Sequence, residues 1–248
     1  MNRTRETSLK QHAHDLAPVG SDATRAVRRA GLVAGAGLML MSALAGFGNL
    51  VVLEGLVTPG DAAKTAGDIL ASVSTFRFGV ASLYLVVVLD VVVAWALFRV
   101  FTPVSRDLSR LAAWFRLAYA AVFMVALSHL AGIPDLLSGT DYSAAFSPEQ
   151  LQAQAMLKID TFEDVWFAGL ILFGVHLVVL GYLAYKSGYV PKVLGVLLVV
   201  AGVGYAFDSF VRVLSEGSPI AISTVTFLGE FLLGIWLLVR GRRISLGD

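Results

Sequence analysis

Four side chains stand where a chemist would not expect charge. Asp90 sits in VVVLDVVVAW, Arg116 in LAAWFRLAYAA, His176 in ILFGVHLVVLG and Glu230 in LGEFLLGIW. In hydrocarbon each charged group costs at least about 2.5–3.5 kcal/mol, so such residues turn inward and find partners. Counting from the nearest turns at about 1.5 Å per residue places them at similar depth. Asp90 lies thirteen residues before Pro103 and Arg116 thirteen after it; His176 is ten from Lys186 and Glu230 ten from Arg240. Asp90 and Arg116 read as an ion pair fixing the register of two neighbouring helices. Glu230 has no basic residue one turn away, so it must be protonated, hydrogen-bonded or partnered from another helix. With His176 it can relay a proton, bind a cation or polar head, or act as interhelical glue.

A second polar layer, Asn49, Glu54, Arg77, His129, Asp208 and Arg212, is expected nearer the opposite membrane face. Asp208 and Arg212 are spaced to pair on one helix turn. Arg77 competes for Asp208 or holds an anionic ligand group. The two layers together read as a funnel to a midplane site, or as charges snorkelling at a bundle rim.

Sharper chemistries fare worse. A bis-histidine haem needs two imidazoles at one depth, and His129 and His176 differ by about 10 Å. A metal-dependent lipid hydrolase has candidate ligands in Asp90, His176 and Asp208, with no HExxH spacing to support them. No GxSxG elbow marks a serine nucleophile. Zero cysteines exclude disulfides and thiolate chemistry. No cofactor is expected, and no catalytic motif is recognisable.

The elements that hold these residues follow from composition. Of 248 residues 57% are hydrophobic and 15% charged, with mean hydropathy +0.76. That is the composition of an all-α polytopic membrane protein. Residues 31–53, 78–98, 111–133, 165–185, 189–211 and 220–239 each run long enough to cross a bilayer core, predicting a six-transmembrane-helix bundle. Fifteen of nineteen basic residues fall on one side; Lys64, Arg77, Lys158 and Arg212 are the exceptions. By the positive-inside rule the chain is a multi-pass protein of the plasma (cytoplasmic) membrane with both termini cytoplasmic. Its partners are then the lipid bilayer and a small ligand or proton; a formal net charge of +1 gives no reason to expect nucleic acid.

Residues 1–29 form a polar, basic tail read as disordered, 30–242 the membrane domain, and 243–248 a cytoplasmic end. Two short outer helices are predicted at the membrane interface. In GDAAKTAGDILASV, residues Ala62, Ala66, Ile69 and Val73 share a face. The second opens at SPEQ, a capping box with Ser147 as N-cap, and runs through Leu151, Met156 and Ile159 into the fourth span.

Four segments carry a family resemblance: GDAAKTAGDILASVSTFRFG, LDVVVAWALFRVFTPVSRDLSRLAAWFRLAYA, FAGLILFGVHLVVLGYLAYKSGYVPKVLGVLLVVAGVGYAFDSF and GEFLLGIWLLVRG. Their order and spacing resemble the bacterial multi-spanning membrane proteins of domain-of-unknown-function family 4386, over residues 28–242. The resemblance implies the six-span fold and supplies no chemistry. Where that family often carries Asn in an ASNIL-like stretch this chain has Asp68, and no role is carried to it. The functional expectation is a small-ligand or ion-binding, permease-like bundle. A metal-dependent lipid hydrolase and a structural or regulatory membrane protein are the alternatives.

Overall fold

The computed structural model describes residues 19–139, 145–214 and 228–245, and every regular element among them is helical. Helix α1 spans Val19–Gly46 and continues through a π-helical stretch, Phe47–Leu53, and a last turn, Glu54–Leu56. It is followed by α2 (Ala62–Ala71), α3 (Val73–Phe101), α4 (Arg106–Ala131) and α5 (Ile133–Ser138). The chain ends with α6 (Pro148–Lys186), α7 (Lys192–Leu214), α8 (Leu228–Arg240) and a 3₁₀ turn, Gly241–Arg243.

Five helices are long and apolar enough to cross a membrane: Asp22–Leu56, Val73–Phe101, Arg106–Ser138, Pro148–Lys186 and Lys192–Leu214. The sixth expected span is represented by the 13 residues of α8, and its first part lies outside the described residues. Each long helix packs on its sequence neighbour, and α8 packs on both α7 and α1, so the six close into a ring. The outward stripes are apolar too. Along α7 they comprise Val193, Val196, Val200, Val203, Phe207 and Phe210, all exposed and spaced at helical period. In water each would forfeit about 1.5–3 kcal/mol; against lipid chains the penalty vanishes.

The two ends of the ring differ in charge. At one, here the basic end, the turns after α3 and α6 meet the 3₁₀ turn and the start of α1. Arg28 Nε donates to Ile244 O at 2.7 Å and Tyr189 Oη to Val100 O at 2.6 Å. Residues 1–18 of the expected disordered tail lie outside the described residues. Residues 19–29, also assigned to that tail, are helical instead. Asp22 bonds Arg25 one turn on, and Val27 and Ala30 are buried, so the packing of α8 and its following turn on α1 extends the helix past its apolar stretch.

At the opposite, acidic end, α2 and α5 cap the bundle. Asp61 caps α2 by accepting from Lys64 N at 2.9 Å, and the expected inward face is present in Ala66 and Ile69, both buried. The helix breaks at Ser72, which places Val73 in the next element. Rather than lying alone at an interface, α2 packs on α6. The capping box at Ser147 forms as the sequence dictates, with Gln150 N donating to Ser147 Oγ and Gln150 Oε1 accepting from Ser147 N. The outer helix and the fourth span are one 39-residue helix, about 58 Å long against a hydrocarbon core of about 30 Å.

Two local features position the interior. The first is the π-helical stretch, which the apolar run gave no sign of. Here the ladder opens: Asn49 Nδ2 donates to Ala45 O at 3.1 Å, while the Ser82 hydroxyl donates to Gly79 O of its own helix at 2.7 Å and lies 3.2 Å from Leu44 O. The second is the α6–α7 seam, where Gly174 faces Gly202 and Gly181 faces Gly195. A Cβ at Gly202 would lie 2.4 Å from Gly174 O, and one at Gly181 would lie 2.6 Å from Gly195 O. Backbone meets backbone there, and only glycine fits.

Candidate functional site

Arg116 occupies the centre of the ring with no exposed surface. Its Nε donates to Asp90 Oδ1 at 2.8 Å, which brings α3 and α4 into register as their equal distances from Pro103 required. One Nη1 hydrogen goes to Glu230 Oε1 on α8 and the other to His176 Nε2 on α6 at 3.2 Å. Nη2 lies 3.9 Å from Met41 Sδ on α1. The guanidinium also lies 5.4 Å from the Phe173 ring centroid, a cation–π contact within hydrocarbon. One side chain thus touches α1, α3, α6 and α8 from α4.

The imidazole is oriented by its other nitrogen. Ala112 O can only accept, so Nδ1 carries the hydrogen of the 2.8 Å bond, and Nε2 offers its lone pair to the guanidinium. A neutral His176 satisfies both contacts. Asp90 and His176 are each 1% exposed, while the Glu230 side chain is 18% exposed. Asp90 Oδ2 is buried without a hydrogen-bond partner among the described residues.

Charge then counts simply. One guanidinium faces two carboxyl groups, and the imidazole adds nothing. With both carboxyls ionised the centre holds one excess negative charge, in a setting where an uncompensated charge costs several kcal/mol. Uptake of one proton or one monovalent cation removes it.

Above the centre, toward the acidic end, α4 and α6 fill the bundle with rings. Phe173 packs on Tyr119 at 4.8 Å, Tyr119 on Phe123 at 5.7 Å, and Phe123 on Trp166 at 5.9 Å. Trp166 Nε1 donates to Tyr119 Oη at 3.1 Å, settling both polar tips. From α7, Tyr205 meets Phe173 edge-on at 5.6 Å.

Of the six residues read as a possible ligand site, four converge and two do not. Asp90, Arg116, His176 and Glu230 form one cluster. The sequence reading divided them into an Asp90–Arg116 pair and a His176–Glu230 pair; the structure joins both pairs through Arg116. Asp208 is buried on α7 outside this cluster. Arg77 reaches Asp135 at 2.6 Å on the exposed acidic end, a partner one connection away that helix periodicity could not supply. Arg212, for which spacing pointed to Asp208, bonds Glu163 and Asp164 at 3.1 Å and lies 4.4 Å from the Phe167 ring. Their α6 carboxylates converge on it because α6 and α7 lie so close. No three His, Asp or Glu side chains converge as metal ligands among the described residues, and His176 spends both ring nitrogens on Ala112 and Arg116. Among the described residues the hydrolase reading therefore has no ligand set. Sequence reasoning missed Met41 and Phe173, whose apolar character gave no signal of a contact with a cation.

The family model of DUF4386, a domain of unknown function, matches residues 33–241. The chain belongs to the DUF4386 family. That match contains all four residues of the cluster. A relative described as an uncharacterized protein of Archaeoglobus fulgidus is 36% identical over 168 residues, covering 68% of this chain and 86% of the relative. No solved structure matches.

Proposed function

We propose that this DUF4386 protein is a six-span, permease-like membrane protein that binds small ligands or ions, and that its ion is a proton, bound at the Asp90–Arg116–Glu230 centre and passed across the membrane. The distribution of Lys and Arg supports a place in the cytoplasmic membrane with both termini inside. The supporting observation is the imbalance of one guanidinium between two carboxyl groups, with a neutral imidazole beside them. Asp90 Oδ2, buried and without a hydrogen-bond partner among the described residues, is where an added proton meets no competing donor. Glu230, the more exposed carboxyl, is the entry point.

Proton uptake into liposomes holding a pH-sensitive dye tests this reading. Wild type dissipates an imposed pH gradient faster than empty liposomes, and Glu230→Gln falls to the rate of empty liposomes. A Glu230→Gln variant with wild-type uptake overturns the assignment of Glu230. If wild type itself is no faster than empty liposomes, the cluster is interhelical glue.

A further inference from the structure

A second polar feature lies at the basic end, away from the buried centre. Between the turn after α3 and the turn after α6 opens a cleft of about 880 Å³, bounded by Ser105, Tyr182, Lys186, Gly188, Tyr189 and Ser245. Its described walls carry one cation, Lys186, and no carboxylate. The nearest acid in sequence, Asp107, lies 3.5 Å from Arg110. Ser105 caps the 26-residue helix α4, so the positive end of a long helix also faces this region.

The walls are fixed. Gly188 turns the chain at φ 73°, Ser187 Oγ accepts from Val190 N at 3.0 Å, and the Tyr189 hydroxyl is tied to Val100 O. The Arg28–Ile244 bond holds the last wall, next to Ser245. Tyr182, Tyr185, Trp95 and Trp114 are exposed on the basic-end halves of their helices, as amphipathic rings are at head-group level. Lys186 Nζ stands 5.9 Å from the Tyr182 ring and Lys192 Nζ 5.4 Å from that of Tyr185. The cleft therefore opens at the depth of lipid phosphates.

We propose that this cleft binds the phosphodiester head group of an anionic phospholipid, with Lys186 on the phosphate and the Ser105 and Ser245 hydroxyls on its oxygens. Soluble phosphate esters share that chemistry; the aromatic girdle assigns the lipid.

Native mass spectrometry of the full chain in a neutral detergent provides the test, with phosphatidylglycerol and phosphatidylcholine as probes. Phosphatidylglycerol is retained over phosphatidylcholine, and Lys186→Gln weakens its binding about five-fold, the worth of one charge at a membrane surface. Lys186→Arg retains binding. Ser245→Trp, which fills the cleft from the exposed C-terminal segment, blocks binding without touching the core. Lys158→Gln removes the same charge at the acidic end and changes nothing. Equal retention of the two lipids overturns the proposal, as does an equal loss in Lys158→Gln. Displacement of phosphatidylglycerol by glycerol phosphate at similar concentration overturns the lipid assignment and gives the cleft to a soluble ester.

Discussion

Arg116 is worth most when its partners are present and is a liability without them. Replacing it by Met strands Asp90 and Glu230 in the interior, and breaking a buried ion pair from one side costs about 3–5 kcal/mol. Neutralising the whole centre, as Arg116→Met with Asp90→Asn and Glu230→Gln, leaves no charge to strand and regains at least half of that loss. Melting temperatures in one detergent check both statements, and a triple variant no more stable than Arg116→Met refutes them. Outside the membrane, the Ser147 hydroxyl hydrogen-bonded to Glu149 holds that carboxyl below its usual range. Its contribution is present above the unfolded carboxylate pKa and fades as pH falls through the lower folded value. In Ser147→Ala the Glu149 titration, followed by carboxyl NMR shifts, moves up.

Among the elements, glycine spacing decides what can move. On α6, Gly174 and Gly181 are seven residues apart; on α7, so are Gly195 and Gly202, which keeps each pair on one face of its helix. The antiparallel match makes α6 and α7 one rigid hairpin. Gly202→Ala pushes a methyl against Gly174 O and costs about 1–3 kcal/mol, seen as a lower melting temperature. Gly67→Ala, in α2 where nothing lies within 4 Å, raises stability by about 0.5–1 kcal/mol. Equal effects of the two substitutions would refute the close-packing account. The sequence displayed the small residues of α7 but not their partners, because a glycine's neighbour is set by register between helices. Helix ends were more legible. Ser147, Pro148 and Gln150 act within one turn, so local chemistry alone placed that boundary. The π-helical stretch was illegible for the opposite reason: it lies in an apolar run and packs against another helix, α3, through long-range contacts.

For the whole molecule, depth was readable and azimuth was not. Equal counts from the turns placed Asp90, Arg116, His176 and Glu230 in one layer, since helix rise is constant. Which of them meet depends on how each helix is rotated in the ring, and that is fixed by packing of six helices at once. Orientation is open to direct measurement because the chain has no cysteine. A cysteine introduced at Ser187 is labelled by a membrane-impermeant thiol reagent only after the cytoplasmic face is opened, and one at Gln152 is labelled from outside in intact cells. The reverse pattern refutes the positive-inside assignment.

Ring closure also sets an order of events during synthesis. Asp90, Arg116 and His176 leave the ribosome well before Glu230, which follows Arg116 by 114 residues. Until α8 is made and docks, Arg116 has one carboxylate and an imidazole, and α1 lacks its contact with α8. The final helix brings both the missing acid and the closing contact with α1. A chain interrupted before it presents an open edge and an arginine short of one of its two carboxylates.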